Sequence, residues 1–183
     1  MKLLPDGTPS GVSVDRNFAH ETGIWHSTSQ VFVYKYEGEK LYILLQMRCA
    51  DKDSFPNCWD ISCAGHVPFG MGYLENAQKE LQEELGISVN AENLEEVFLH
   101  KTEKQAVFYG KPFIDRQFSM VYALECDKSE EYFVYQKEEI SSVRWFSYSD
   151  ILKMIETGKP DNCLNKEKFE KVYEFISRNR TIK

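Results

Sequence analysis

The chain has 183 residues, a size suited to one domain, and 42% are hydrophobic, including twelve Phe, ten Tyr and three Trp for a core. Its formal net charge is −7 with no run of Lys or Arg, which argues against a nucleic-acid polymer as partner, because phosphate backbones are held by clustered cations. A small phosphorylated substrate stays open if a metal ion carries the positive charge.

Five cysteines, Cys49, Cys58, Cys63, Cys126 and Cys163, are scattered without a C-x-x-C pair. An odd, dispersed set fits a reducing cytoplasm better than a disulfide framework. Leu3 and Leu4 before Pro5 are too few for a secretory core segment. No apolar stretch nears the ~18 residues of a membrane helix. The expected location is cytoplasmic, away from membranes.

In chain order, residues 1–26 read as an N-terminal extension or hairpin with a turn-rich opening at 5–11. Residues 31–36 and 41–47 are apolar, β-branched or aromatic runs joined by Glu37-Gly38-Glu39-Lys40, which predicts a hairpin. An exposed apolar face at the N-terminal hairpin is where a homodimer would pair. A turn-prone stretch at 51–57 leads to Trp59-Asp60-Ile61-Ser62 and then to Gly65, Gly70 and Gly72. Leu74, Ala77, Leu81 and Leu85 recur at helical spacing, and Gly86 is the expected C-cap. Further strands are expected at 97–100, 106–109, 117–124 and 143–146. Ser147 or Ser149 caps a short helix through Ile151, Leu152 and Ile155 that stops before Gly158. A last helix, beginning near Asn165 within a C-terminal segment 159–183, places Phe169, Val172, Tyr173 and Ile176 on its buried side. Without repeats or a linker, this order predicts a single α/β domain over 1–183, with helices against a mixed sheet.

The chemistry-bearing segment runs from Gly65-His66-Val67-Pro68-Phe69-Gly70-Met71-Gly72 into Lys79-Glu80-Leu81-Gln82-Glu83-Glu84. On a helix Glu80, Glu83 and Glu84 fall within about 100° of arc. Three carboxylates so close repel one another unless a cation or proton relieves them. Hard ions such as Mg²⁺ or Mn²⁺ suit an all-oxygen set. A glutamate-rich helix face is also what an ordinary solvated face looks like, so the preceding glycine loop and the closing Gly86-Ile87 carry the distinction.

That joint pattern resembles the Nudix box, G-x5-E-x7-R-E-U-x-E-E-x-G-U, with Gly65, Glu80, Leu81, Glu83, Glu84, Gly86 and Ile87 in register. Met71 stands at its first glutamate and Lys79 at its arginine. Trp25-His26, Gln46-Met47-Arg48, Asp53-Ser54-Phe55-Pro56, Ala64-Gly65-His66-Val67 and Glu138-Glu139-Ile140 extend the likeness to the isopentenyl-diphosphate-isomerase-like branch of the superfamily. The resemblance implies an α/β/α sandwich around a mixed sheet. It implies a Mg²⁺ or Mn²⁺ ion held by Glu83 and Glu84 with Glu80 and the Ala64 backbone carbonyl. Glu80 or Glu139 would act as base on water, and Gly65, His66 and Arg48 would contact a small diphosphate substrate. Glu139 is equally readable as a strand-edge charge, and His66 as a loop hydrogen-bonding residue.

Three activities fit this pattern. The first is hydrolysis of the diphosphate linkage in a nucleoside-diphosphate-linked or other diphosphate. The second is an isopentenyl-diphosphate isomerase, for which His20, His26 and His66 resemble the isomerase histidines. Its cysteine position falls on Ala64, however, and Cys63 points to the opposite strand face. Surface or hairpin polar contacts are the plainer expectation for His20 and His26, and a buried hydrophobic position for Cys63. The third is a catalytically impaired fold that only binds ligand, for which Met71 and Lys79 are the signal.

Overall fold

A computed structural model describes residues 1–158 and 161–180; position 159, where the C-terminal segment was expected to begin, lies outside them. The elements are α1 (Arg16–Thr22), β1 (His26–Glu37), β2 (Lys40–Arg48), β3 (Trp59–Asp60), β4 (Cys63–His66), α2 (Tyr73–Leu85), β5 (Glu95–Phe108), β6 (Lys111–Glu125), β7 (Ile140–Ser147), α3 (Tyr148–Glu156) and α4 (Lys166–Arg180). One seven-stranded sheet follows the path β3-β2-β1-β6-β5, with β4 on β1 and β7 on β2. β1 is parallel to β6 and antiparallel to β2 and β4, so the sheet is mixed.

Strand residues alternate between two cores, as the period of two requires. Val31, Val33, Leu44, Tyr122 and Leu124 face Ala77, Leu81 and Leu85 of α2. Phe32, Ile43, Leu45, Val121 and Ala123 face Ile151 of α3 and Phe169, Val172 and Ile176 of α4. This is the expected sandwich, and it explains why β1 and β2 read as unbroken apolar runs: both faces are covered. Residues 31–34 and 43–45 are accordingly at most 5% exposed.

β1 is shared at its inner edge. Residues 28–31 bond β4, whereas 34–37 bond β2. Buried Ser62 closes the fork, accepting from the Val33 N–H at 2.8 Å and donating to the Leu44 carbonyl at 2.6 Å. A backbone donor and a backbone acceptor that no ladder reaches are both satisfied there. Paired with β1 beyond the fork, β4 lies against α2.

Three expectations need correction. The strands at 97–100 and 106–109 are one strand, because the polar residues 101–105 pair continuously with 114–118 of β6. α1 was not foreseen. Seven residues form little helix alone, and this one is fixed by its Asp15 cap on Phe18, by left-handed Gly23 and by packing on β6. Tyr173 is 39% exposed rather than buried and stacks on Tyr148 at 4.1 Å between ring centres.

Candidate active site

A cavity of about 580 Å³ opens where β1, β4, α2 and the 49–58 loop meet, reached also by residues of α1, β6 and α4. Its size lies within the ~300–1,000 Å³ range of small-molecule sites.

Glu80 and Glu84, one turn apart on α2, converge on β4. The Glu80 carboxylate lies against the Gly65 α-carbon so closely that a Cβ there would overlap its carboxyl carbon. That is the physical reason for glycine at this position, whose φ is not in the left-handed region. Glu84 is 8% exposed and accepts from the Ala64 N–H and from Gln46 Nε2, both at 3.3 Å. Burial, followed by the charge of Glu80, pushes the Glu84 carboxyl up to about 7. Burial also raises Glu80, with Lys79 opposing it at 3.4 Å. Glu83 lies at the rim, its side chain 51% exposed and paired with Lys79 at 2.5 Å. The lysine thus pairs with two of the box carboxylates without any contribution from position 71. A close, buried, under-compensated carboxylate pair is the donor chemistry that a hard divalent cation relieves.

The facing wall is cationic. Lys52 pairs with Glu139, and burial holds the Lys52 ammonium below the ordinary lysine value. Arg48 donates through Nε to the carbonyls of Ser54 and Phe55, at 3.2 and 3.1 Å, and through Nη1 to Asp60 at 3.3 Å. It therefore braces the loop that carries Lys52, while its side chain also lines the cavity. Lys52 was missed in the sequence. Its signal is tertiary, since nothing in the spacing of 48–60 points it at Glu139.

At the opposite end, His20 of α1, His26 of β1 and His66 of β4 gather with ligand atoms within 4.8 Å of one another. His20 and His26 are 8% and 1% exposed, which corrects the expectation of ordinary surface contacts. His20 Nε2 lies 3.1 Å from His66 Nε2. Asp115 Oδ1 is 3.8 Å from His20 Nδ1 and 3.7 Å from His26 Nε2. Burial lowers the pKa of all three rings, His20 to about 4, and raises Asp115 to about 6. Among the described residues, His20 Nδ1, His26 Nε2 and Asp115 Oδ1 are buried without a hydrogen-bond partner. Neutral imidazoles with one carboxylate form a set for a transition metal or zinc. Ala64 lines the cavity beside Glu84, whereas Cys63 is fully buried in the α2 core.

A mixed sheet sandwiched by helices, with glutamates of one helix set over a glycine of the preceding strand, defines the Nudix architecture. The NUDIX domain model matches residues 25–164, and the chain belongs to this family. It is 35% identical over 160 residues to Nudix hydrolase 3 of Arabidopsis thaliana, covering 86% of this chain but 20% of that much longer relative. It is 27% identical over 158 residues, 84% of each protein, to an isopentenyl-diphosphate Delta-isomerase of Cereibacter sphaeroides. Among solved structures, DR0079 from Deinococcus radiodurans superposes with a TM-score of 0.63 at 20% identity, covering 86% of this chain and 88% of that one.

Proposed function

We propose that the protein is a metal-dependent hydrolase that cleaves the diphosphate linkage of a small substrate. The observation that carries this reading is the buried Glu80–Glu84 pair over Gly65, facing Lys52 and Arg48 across one cavity. Glu80 and Glu84, with the backbone at Ala64 and with Glu83 from the rim, are the residues that would hold Mg²⁺ or Mn²⁺. Such an ion, when bound, neutralises phosphate oxygens and acidifies water. Lys52 and Arg48 offset the remaining anionic charge of the diphosphate and hold it in place. Glu139, beside Lys52, or Glu80 accepts the proton of the attacking water. Gly65 gives the substrate close access, and His66 donates or accepts at its edge. The expected products are two phosphorylated fragments.

The test is phosphate release from a panel of diphosphates with Mg²⁺ or Mn²⁺. Glu84→Gln should lower kcat at least about 100-fold, the scale of a lost metal ligand. Release that survives the substitution would overturn the reading. Bound diphosphate without turnover by the unsubstituted protein would favour an impaired ligand-binding fold.

The His20–His26–His66–Asp115 cluster favours a second reading, an isomerase of isopentenyl diphosphate, in which a histidine-held metal takes part. Against it stands Ala64 at the cavity wall, with Cys63 turned into the core. Double-bond migration without phosphate release would establish it.

A further inference from the structure

Helix α4 contributes to the cavity a cation that the site described above does not use. Lys168 is 8% exposed, and its Nζ donates to Gln30 Oε1 at 2.7 Å. Gln30 is itself oriented, since its Nε2 donates to Ser119 Oγ at 3.2 Å, which also accepts from Thr28 Oγ1 at 2.7 Å. An ammonium has three hydrogens, and Gln30 takes one. Among the described residues no carboxylate forms an ion pair with Lys168; Asp60 and Asp115 act on it only through their fields. Lysine is almost never fully buried unless paired, because an uncompensated ammonium is costly to desolvate. Lys168 lines the cavity together with Thr28, Gln30, Gln117 and Asn165. This stretch of wall is polar, and a hydrocarbon against it would strip the ammonium of water and return nothing.

We propose that Lys168, oriented by Gln30, is a specificity-determining residue that binds an acceptor oxygen on the organic part of the substrate, remote from the diphosphate. The assignment rests on the hydrolase reading for the position of the diphosphate at the glutamate end. A hydroxyl or carbonyl oxygen placed at Lys168 supplies a second acceptor, whereas an alkyl chain supplies none, and sites of this kind reject ligands that lack the partner.

Calorimetric binding with Mn²⁺ separates the two levels without requiring turnover. The probes are methylenediphosphonate alone and its uridine, adenosine and isopentenyl esters, which share one uncleavable diphosphate. A nucleoside ester should bind the unsubstituted protein more tightly than the isopentenyl ester. Lys168→Met should weaken the nucleoside ester about tenfold or more, the size of a charged hydrogen bond, and leave bare methylenediphosphonate within about twofold. Gln30→Leu should reproduce part of the loss. Lys168→Met should also raise Tm, since it removes a costly buried charge and keeps the volume, whereas a purely structural lysine would lower it. The assignment is overturned if the isopentenyl ester binds best, if Lys168→Met weakens every probe alike, or if it lowers Tm and leaves the preference intact. Failure of bare methylenediphosphonate to bind the unsubstituted protein would instead sink the diphosphate reading, and this assignment with it.

Discussion

Gly65 and Glu84 lead to two residue-scale predictions that separate stability from function. In Gly65→Ala the new methyl collides only with the flexible end of Glu80, which can rotate away, so stability should fall by less than about 1 kcal/mol. The displaced carboxylate no longer meets Glu84, and Mn²⁺ affinity should fall at least about tenfold; calorimetry and a melting curve on one sample check both. Glu84 bears on pH. Its folded pKa, raised to about 7 by burial and Glu80, lies above the ordinary carboxylate value. The protonated form therefore favours the fold, and stability is lost as pH rises through about 4.5 to 7. Glu84→Gln should stabilise the metal-free protein by roughly 3 kcal/mol at pH 8 and by nothing at pH 4, as measured by urea unfolding in a chelator. An equal effect at both pH values would refute the buried-charge account. The glutamates and Gly65 were legible in the sequence because one helix and its approach loop hold them at fixed spacing. The contact of Lys168 with Gln30 was not, since it spans 138 residues and depends on how separate elements pack, and the grouping of His20, His26 and His66 came only through the family resemblance.

The same distinction holds among the elements. β1, β2 and α2 were legible because both flanking cores stamp apolar periodicity on them. The outer half of β5 and helix α1 carry no such stamp, and only pairing and capping define them. At the end of α2, Gly86 has a φ of 71° and its missing Cβ would sit 2.9 Å from the Val134 carbonyl. Forcing an L residue into that left-handed cap costs about 1–2 kcal/mol, and the backbone contact adds to it. Gly86→Ala should thus lower unfolding stability by about 2 kcal/mol while kcat per folded molecule, assayed at low temperature, stays unchanged. A silent substitution would mean that the 132–136 segment is not seated against the helix.

For the whole molecule, the acids that would take a cation also hold the metal-free protein below its attainable stability, so ion uptake and thermal stability are linked. Mn²⁺ at about 100 times its Kd should add ~2.7 kcal/mol, or about 5–10 °C in Tm for a chain of this size. Because the carboxylates must be deprotonated to bind, the gain should be larger at pH 8 than at pH 5. A shift that is equal at both pH values, or absent, would count against cation binding at Glu80 and Glu84.

The distal part of the β5–β6 hairpin, residues 103–116, pairs only with itself, because β1 engages β6 from Gln117 onward. Its tip touches the loop that lines the cavity, Phe108 against Phe55 at 4.7 Å and the Tyr109 hydroxyl on the Lys52 carbonyl at 3.4 Å. Among the described residues this ribbon has no third strand and is held instead by α1, where His20 stacks on Phe113 at 4.4 Å, and by these tip contacts, so its tip is where the walls part most readily. Ligand exchange then inherits the ribbon's breathing rate: kcat should fall as glycerol raises solvent viscosity, and Tyr109→Phe, which cuts the tip's tether, should blunt that dependence.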